Sequence, residues 1–113
     1  MITDKEVDDL LNRYIEDCFY FESLNFITNK AGIYLFLKKN DEEIIYVGKS
    51  KNVKNRITIH HSVCKKLLNL NTEFRIKVYV INKQYLSLDM AESLVLNHLM
   101  YNLSFFPIYN NEV

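Results

Sequence analysis

The sequence predicts an α+β fold, with a central three-stranded sheet, mixed or antiparallel, flanked by helices. Three observations carry this. Two short runs rich in β-branched and aromatic residues, 31–37 and 44–48, lie either side of a polar turn at 38–43. A third run, 73–81, alternates charged and apolar side chains with the period of a half-buried strand. Outside these runs, near both ends and after Gly48, apolar residues recur at helical spacing instead. At 113 residues the chain is expected to be one domain with a single core, made of an N-terminal helical extension (1–28) and a main body (31–110).

The elements follow in order. Thr3-Asp4-Lys5-Glu6 has the form of a capping box, and Val7, Leu10, Leu11, Tyr14, Ile15 and Cys18 follow at helical spacing. This predicts a helix from about Asp4 to Asp17, its early acids suited to the positive end of the helix dipole. Residues 19–28 are aromatic and irregular and are expected to pack this helix onto the body. In the hairpin, alternation puts Gly32, Tyr34 and Phe36 on one face of the first strand and Ile44, Tyr46 and Gly48 on one face of the second. A matched register then sets the two tyrosines side by side. Gly48 ends its strand without a side chain, leaving room for a backbone or a ligand. Ser50 or Asn52 can cap the next helix, on which Val53, Ile57, His60 and Cys64 keep helical spacing and Arg56 and His60 project from one side. Lys49, Lys51 and Lys54 gather where that helix starts, and the backbone there already favours an anion. In the third strand Arg75 and Lys77 fall opposite Phe74, Ile76, Val78 and Val80, which predicts a basic outer face. A last helix is expected over 86–102, with Asp89 and Glu92 as a capping box and Ala91, Leu94, Val95, His98 and Leu99 as its apolar stripe. Glu92 lies at the margin of that stripe, and 105–110 closes the chain in extended form.

Charge is unevenly placed although the net is zero. Residues 1–25 hold seven acids against two bases, and the remainder twelve bases against seven acids. An acidic front on a basic body fits a body that meets a polyanion, but taken alone it fits a solvated acidic helix better. Cys18 and Cys64 are too far apart in sequence for a metal-type pair, so both are expected to stay reduced and serve as packing residues. No signal peptide and no apolar run of membrane-spanning length are present, which points to a cytoplasmic protein that meets no membrane.

Gly32-Ile33-Tyr34 followed by Tyr46-Val47-Gly48 resembles the signature of the GIY-YIG nuclease superfamily. Tyr46-Val47-Gly48-Lys49-Ser50, then Asn52-Val53, then Arg56 is similar to the same block in the bacterial excision-repair branch of that superfamily. His60 falls where members carry a tyrosine or histidine. Ala91-Glu92-Ser93-Leu94 resembles the helix with the metal-binding glutamate, and Pro107-Ile108-Tyr109-Asn110 the closing Pro-x-Tyr-Asn. Taken singly, each of these residues is an ordinary core or surface side chain; the ordered set carries the resemblance. The gap from Glu92 to Asn110 is long for the family, so either Asn110 or Asn111 can be the terminal asparagine.

The resemblance implies hydrolysis of a DNA phosphodiester, with RNA as an alternative, using one magnesium or manganese ion in a DNA-repair setting. Glu92 would hold the ion, with waters and phosphate completing its shell. Arg56 would grip phosphate oxygens. Tyr34 would activate the attacking water, with Tyr46, Lys49 or His60 as alternatives for orienting it or relaying its proton. A tyrosine base needs its pKa lowered, and Lys49 and Arg56 are expected to do this to Tyr34. Gly48, Lys49, Lys51 and Asn110 are the substrate-binding candidates. The other readings are a nucleic-acid-binding module of the same fold without cleavage, and a nuclease subunit targeted by a partner. The first helix is expected to dock on the body, with inhibition or dimer formation as its alternatives.

Overall fold

The structure, a computed structural model, describes residues 1–22, 26–60, 62–71 and 73–110, and excludes the side chains of Ile59 and His60. Four strands form one antiparallel sheet: β1 (Ile15–Phe21), β2 (Gly32–Lys38), β3 (Ile44–Ser50) and β4 (Phe74–Ile81), in the order β1-β4-β2-β3. β2 lies inside the sheet and is buried through Leu37, which explains why its sequence is continuously apolar and does not alternate. Its even positions, Tyr34 and Phe36, face one helical layer. That layer holds α2 (Val53–Asn55), a π-helical turn (Arg56–His60) and α3 (Ser62–Asn69). The odd positions, Ile33, Leu35 and Leu37, face the other layer, built from α1 (Lys5–Leu11) and α4 (Leu88–Asn97), the latter continued by a π-helical turn at His98–Asn102. Cys18 packs beside one layer and Cys64 is buried in the other, with no disulfide between them. No described helix is long and apolar enough to cross a membrane.

The sheet has four strands where the sequence suggested three, and the missing one is β1. The expected helix over 4–17 stops at Leu11, and a tight turn at Asn12–Tyr14 leads into the strand. Ile15 and Cys18 satisfy helical spacing, but 18–21 also alternates. Phe19 and Phe21 join the Tyr34 layer, while Cys18 and Tyr20 pair with Tyr79 and Lys77 of β4. Aromatic residues prefer the pleated surface, and the open edge of β4 decides between the two patterns.

The expected capping box at Thr3–Glu6 does not form. Asp4 holds the N-cap position without a side-chain cap bond, because its carboxylate is taken by β4. Lys77 donates to Asp4 Oδ2 at 2.8 Å, Asp8 Oδ1 at 2.7 Å and Tyr20 Oη at 2.8 Å, using all three ammonium protons. Tyr20 also donates to Asp4, and Tyr79 Oη donates to Asp8 Oδ1 at 2.5 Å. The predicted basic outer face of β4 is therefore an inner one. The Lys77 side chain is 4% exposed beneath α1, and Arg75 is held by Glu42 at 2.6 Å. Burial opposes charge on both partners, yet the contacts prevail: Asp4 titrates below the ordinary carboxylate value and Lys77 above the ordinary lysine value. Val7 and Leu11 seat the apolar stripe of α1 on the sheet, so this helix is part of the core.

β1 and β3 are the sheet's edges. The chain's end covers β3: Tyr109 N–H donates to the Ile45 carbonyl at 3.0 Å. The Asn110 amide accepts from Val47 N–H and donates to its carbonyl, both at 2.9 Å. One side chain thus satisfies the two outward groups of a strand residue as a neighbouring strand would.

Candidate active site

The site grows from the β2–β3 hairpin. Tyr34 lies opposite Gly48 and Phe36 opposite Tyr46, the register that alternation requires if the two tyrosines are to share a face. Their ring centroids are 6.2 Å apart, and Phe36 completes the group at 5.8 Å from Tyr34 and 5.5 Å from Tyr46. Gly48 does not end β3, which runs two residues further, and the space above it is filled by the protein itself. A Cβ built there would stand 2.4 Å from Tyr34 Cζ and 2.5 Å from its oxygen. The glycine exists to let the Tyr34 phenol lie across the strand.

Arg56 and Glu92 reach these phenols from opposite layers. Arg56 sits in the π-helical turn, which Val53 and Ile57 anchor in the Tyr34 layer, and it hydrogen-bonds the Tyr34 hydroxyl. Glu92 rises from α4, anchored by Ala91 and Val95 in the other layer, and its charge is felt at both tyrosines. Asn52 caps α2 by accepting from Asn55 N–H at 3.1 Å, which fixes where the turn carrying Arg56 begins. Ser50, the other capping candidate, instead braces the loop through its hydroxyl and both backbone groups of Asn52.

Burial dominates the electrostatics of the phenols. It pushes Tyr34 well above the ordinary tyrosine value; Tyr46 and Glu92 add to the rise, and the Arg56 guanidinium opposes it without prevailing. Tyr46 is raised the same way, by burial first, with Arg56 again opposing. This corrects the expectation that neighbouring cations lower Tyr34: at neutral pH its oxygen carries its proton.

Lys49 points to the α4 side of β3. Its ammonium lies 2.7 Å from Asp89 Oδ1 and 3.3 Å from Glu92 Oε1. The Asp89 contact is the main cause of its raised pKa, and the same contact lowers that of exposed Asp89. Asp89 is thus not the helix cap; Ser87 is, accepting from Met90 N–H at 3.1 Å. Sequence reasoning missed Asp89 as a site residue, although its three-residue offset from Glu92 put both carboxylates on one face of the helix.

The hairpin and the two helical layers bring together Tyr34, Tyr46, Lys49, Arg56 and Glu92 at the β3 side of the sheet. Lys51 is exposed just beyond β3, within electrostatic reach of Asp89. Asn110 is held on the Val47 backbone and props the edge of β3. The His60 side chain and Asn111 lie outside the described residues. Among the described residues no group of three or more His, Cys, Asp or Glu could enclose a metal. An ion here would have Glu92 as its protein carboxylate and would draw the rest of its shell from water and phosphate oxygens. Glu92 already faces a positive charge there, the Lys49 ammonium.

Comparison with known proteins meets the same region. Residues 30–103 match the family described as the UvrC-like GIY-YIG domain. The UvrABC system protein C of Mycoplasma capricolum is 40% identical over 75 residues, 66% of this chain and 12% of that protein. The protein of the same name from Mycoplasma mycoides is 32% identical over 89 residues, 79% of this chain and 14% of its own. That of Helicobacter pylori is 31% identical over 67 residues, 59% and 11% respectively. The chain therefore spans about an eighth of the length of these relatives.

Proposed function

The chain belongs to the UvrC-like GIY-YIG domain family, and from that premise we propose that it is the catalytic module of an endonuclease hydrolysing DNA phosphodiester bonds with one divalent ion. The placement of Arg56 and Glu92 around a pair of buried tyrosines, with Lys49 paired to Glu92, carries the reading. Phosphodiester hydrolysis needs a positioned nucleophile and neutralisation of the charge that gathers on phosphorus. Arg56 binds the phosphate oxygens, and its bond to the Tyr34 hydroxyl keeps the guanidinium oriented before substrate arrives. Glu92 would hold magnesium or manganese, and Lys49, 3.3 Å from that carboxylate, would help to position it. When bound, such an ion offsets phosphate charge and makes a coordinated water more acidic. Tyr34, protonated at neutral pH, orients the attacking water through its hydroxyl, and Tyr46 packs it in position. The relatives' name places them in a multi-component system, and a partner that selects the DNA would supply the targeting this module shares with them.

Glu92→Gln separates an enzyme from a binding module, since it keeps side-chain volume and removes the charge. Metal-dependent cleavage, assayed on single-stranded, duplex and branched DNA and on RNA, should vanish while folding and DNA binding survive. Full cleavage by Glu92→Gln would overturn the metal assignment. A wild-type protein that binds DNA and never cuts it would favour the module without cleavage.

A further inference from the structure

Two clefts meet beside the site. One, of about 430 Å³, is lined by Lys49, Ser50, Lys51, Lys83, Ser87, Leu88 and Asp89. The other, of about 530 Å³, includes Lys30, Lys51, Lys83, Asn29, Asn82 and Gln84 in its lining. Lys51 and Lys83 line both, so the two form one groove from Lys49, which touches Glu92, to Lys30. The groove crosses the end of the sheet where β2 begins and β3 and β4 finish.

The balance of charge in it is positive. Lys30, Lys51 and Lys83 are exposed and form no ion pair with any described residue, unlike Lys49, Lys77 and Arg75. The acids along it are Asp89, already paired with Lys49, and Glu16 at the far wall. The amides of Asn29, Asn82 and Gln84 add groups that can both donate and accept. An open groove with repeated cations and neutral amides suits a chain with regularly spaced negative charges better than a single small anion.

We infer that this groove carries the nucleic-acid backbone on one side of the scissile phosphate, with Lys30 and Lys83 contacting flanking phosphates. The inference rests on the nuclease reading of the site and adds a direction to it: the strand leaves past Lys49 and Lys51 towards the start of β2. Lys30 and Lys83 position substrate and touch no reacting atom.

The test uses a labelled DNA duplex in chelating buffer, with affinity measured by fluorescence anisotropy across a salt titration. Each lost phosphate contact removes about 0.9 from the slope of log affinity against log salt. Lys30→Gln/Lys83→Gln should therefore lower the slope by about two units and weaken binding at low salt by more than about ten-fold. Both lysines are exposed, so thermal melting should not change. Lys39→Gln, at the other end of the hairpin, should keep the wild-type slope. In cleavage assays the double variant should raise KM and leave kcat alone. An unchanged slope in the double variant, or an equal loss in Lys39→Gln, would overturn the groove and leave the proposed function standing. A wild-type protein with neither salt-dependent binding nor cleavage would instead overturn that function.

Discussion

A methyl group at position 48 tests how tightly the Tyr34 phenol is held. Gly48→Ala puts a carbon 2.4 Å from Tyr34 Cζ, and the backbone there is locked in the sheet, so the ring must move. Overpacking of this kind costs about 1–3 kcal/mol. Misplacing a positioning group by about 1 Å can lower a rate about 100-fold. Gly48→Ala should show both effects, read by thermal melting and cleavage; a fully active variant would free the mechanism from the position of Tyr34. The state of that phenol gives a second prediction. Burial holds it above the ordinary tyrosine value, so it remains protonated through neutral pH. Tyr34→Phe should then shift the whole pH–rate profile down in parallel between about pH 6 and 9, by about 100-fold or more. Curves that converge towards low pH would instead assign catalysis to the phenolate.

At the scale of elements, α1 is fastened by charge as well as by apolar contact. Lys77 is enclosed by Asp4, Asp8 and Tyr20, so Lys77→Met leaves buried Asp4 without its cation. Removing one partner of a buried pair costs about 3–5 kcal/mol, and urea unfolding should show it; a loss below about 1 kcal/mol would mean that α1 is held by Val7 and Leu11 alone. The pH dependence follows from the shifts. Asp4 is depressed in the folded chain, so its contribution is present above the unfolded value, about 3.9, and disappears as pH falls through the folded value. Lys77 is raised, so its contribution is present below about 10.4 and disappears as pH rises through its folded value. This pairing also accounts for part of the chain's lopsided charge: two acids of the front are matched to a base of the body. It was not legible in the sequence, because Lys77 lies 73 residues from Asp4 and only the fold joins them. β1 was hidden for a local reason, since Ile15 and Cys18 continue the spacing of the helix before them. The β2–β3 hairpin was legible because a period of two admits one arrangement of buried tyrosines around a short polar turn.

For the molecule as a whole, the seal on β3 guards against association. Asn110→Ala removes two hydrogen bonds, at about 1 kcal/mol each, and uncovers the Val47 amide and carbonyl on an edge strand. Modest destabilisation with concentration-dependent oligomers in light scattering is the expected result, and a strictly monomeric variant would show that Tyr109 and its neighbours suffice. The site as a whole was legible only through the order of its motifs, because Tyr34, Arg56 and Glu92 come from a strand and two separate helical layers that no local period relates. Asp89 was masked by its place in a first helical turn, where an acid needs no further explanation. The chain has two glycines, and β2, one of the two inner strands, has two neighbours. Gly32 admits the Tyr79 carbonyl of β4, 2.4 Å from where its Cβ would be, and Gly48 admits the Tyr34 ring of β2. Sliding β3 by two residues would set Tyr34 against Tyr46 or Ser50, whose side chains occupy the notch that the ring needs. Each glycine is thus an index mark for one seam of the sheet, and a misaligned hairpin is excluded as folding closes, before a faulty site can form.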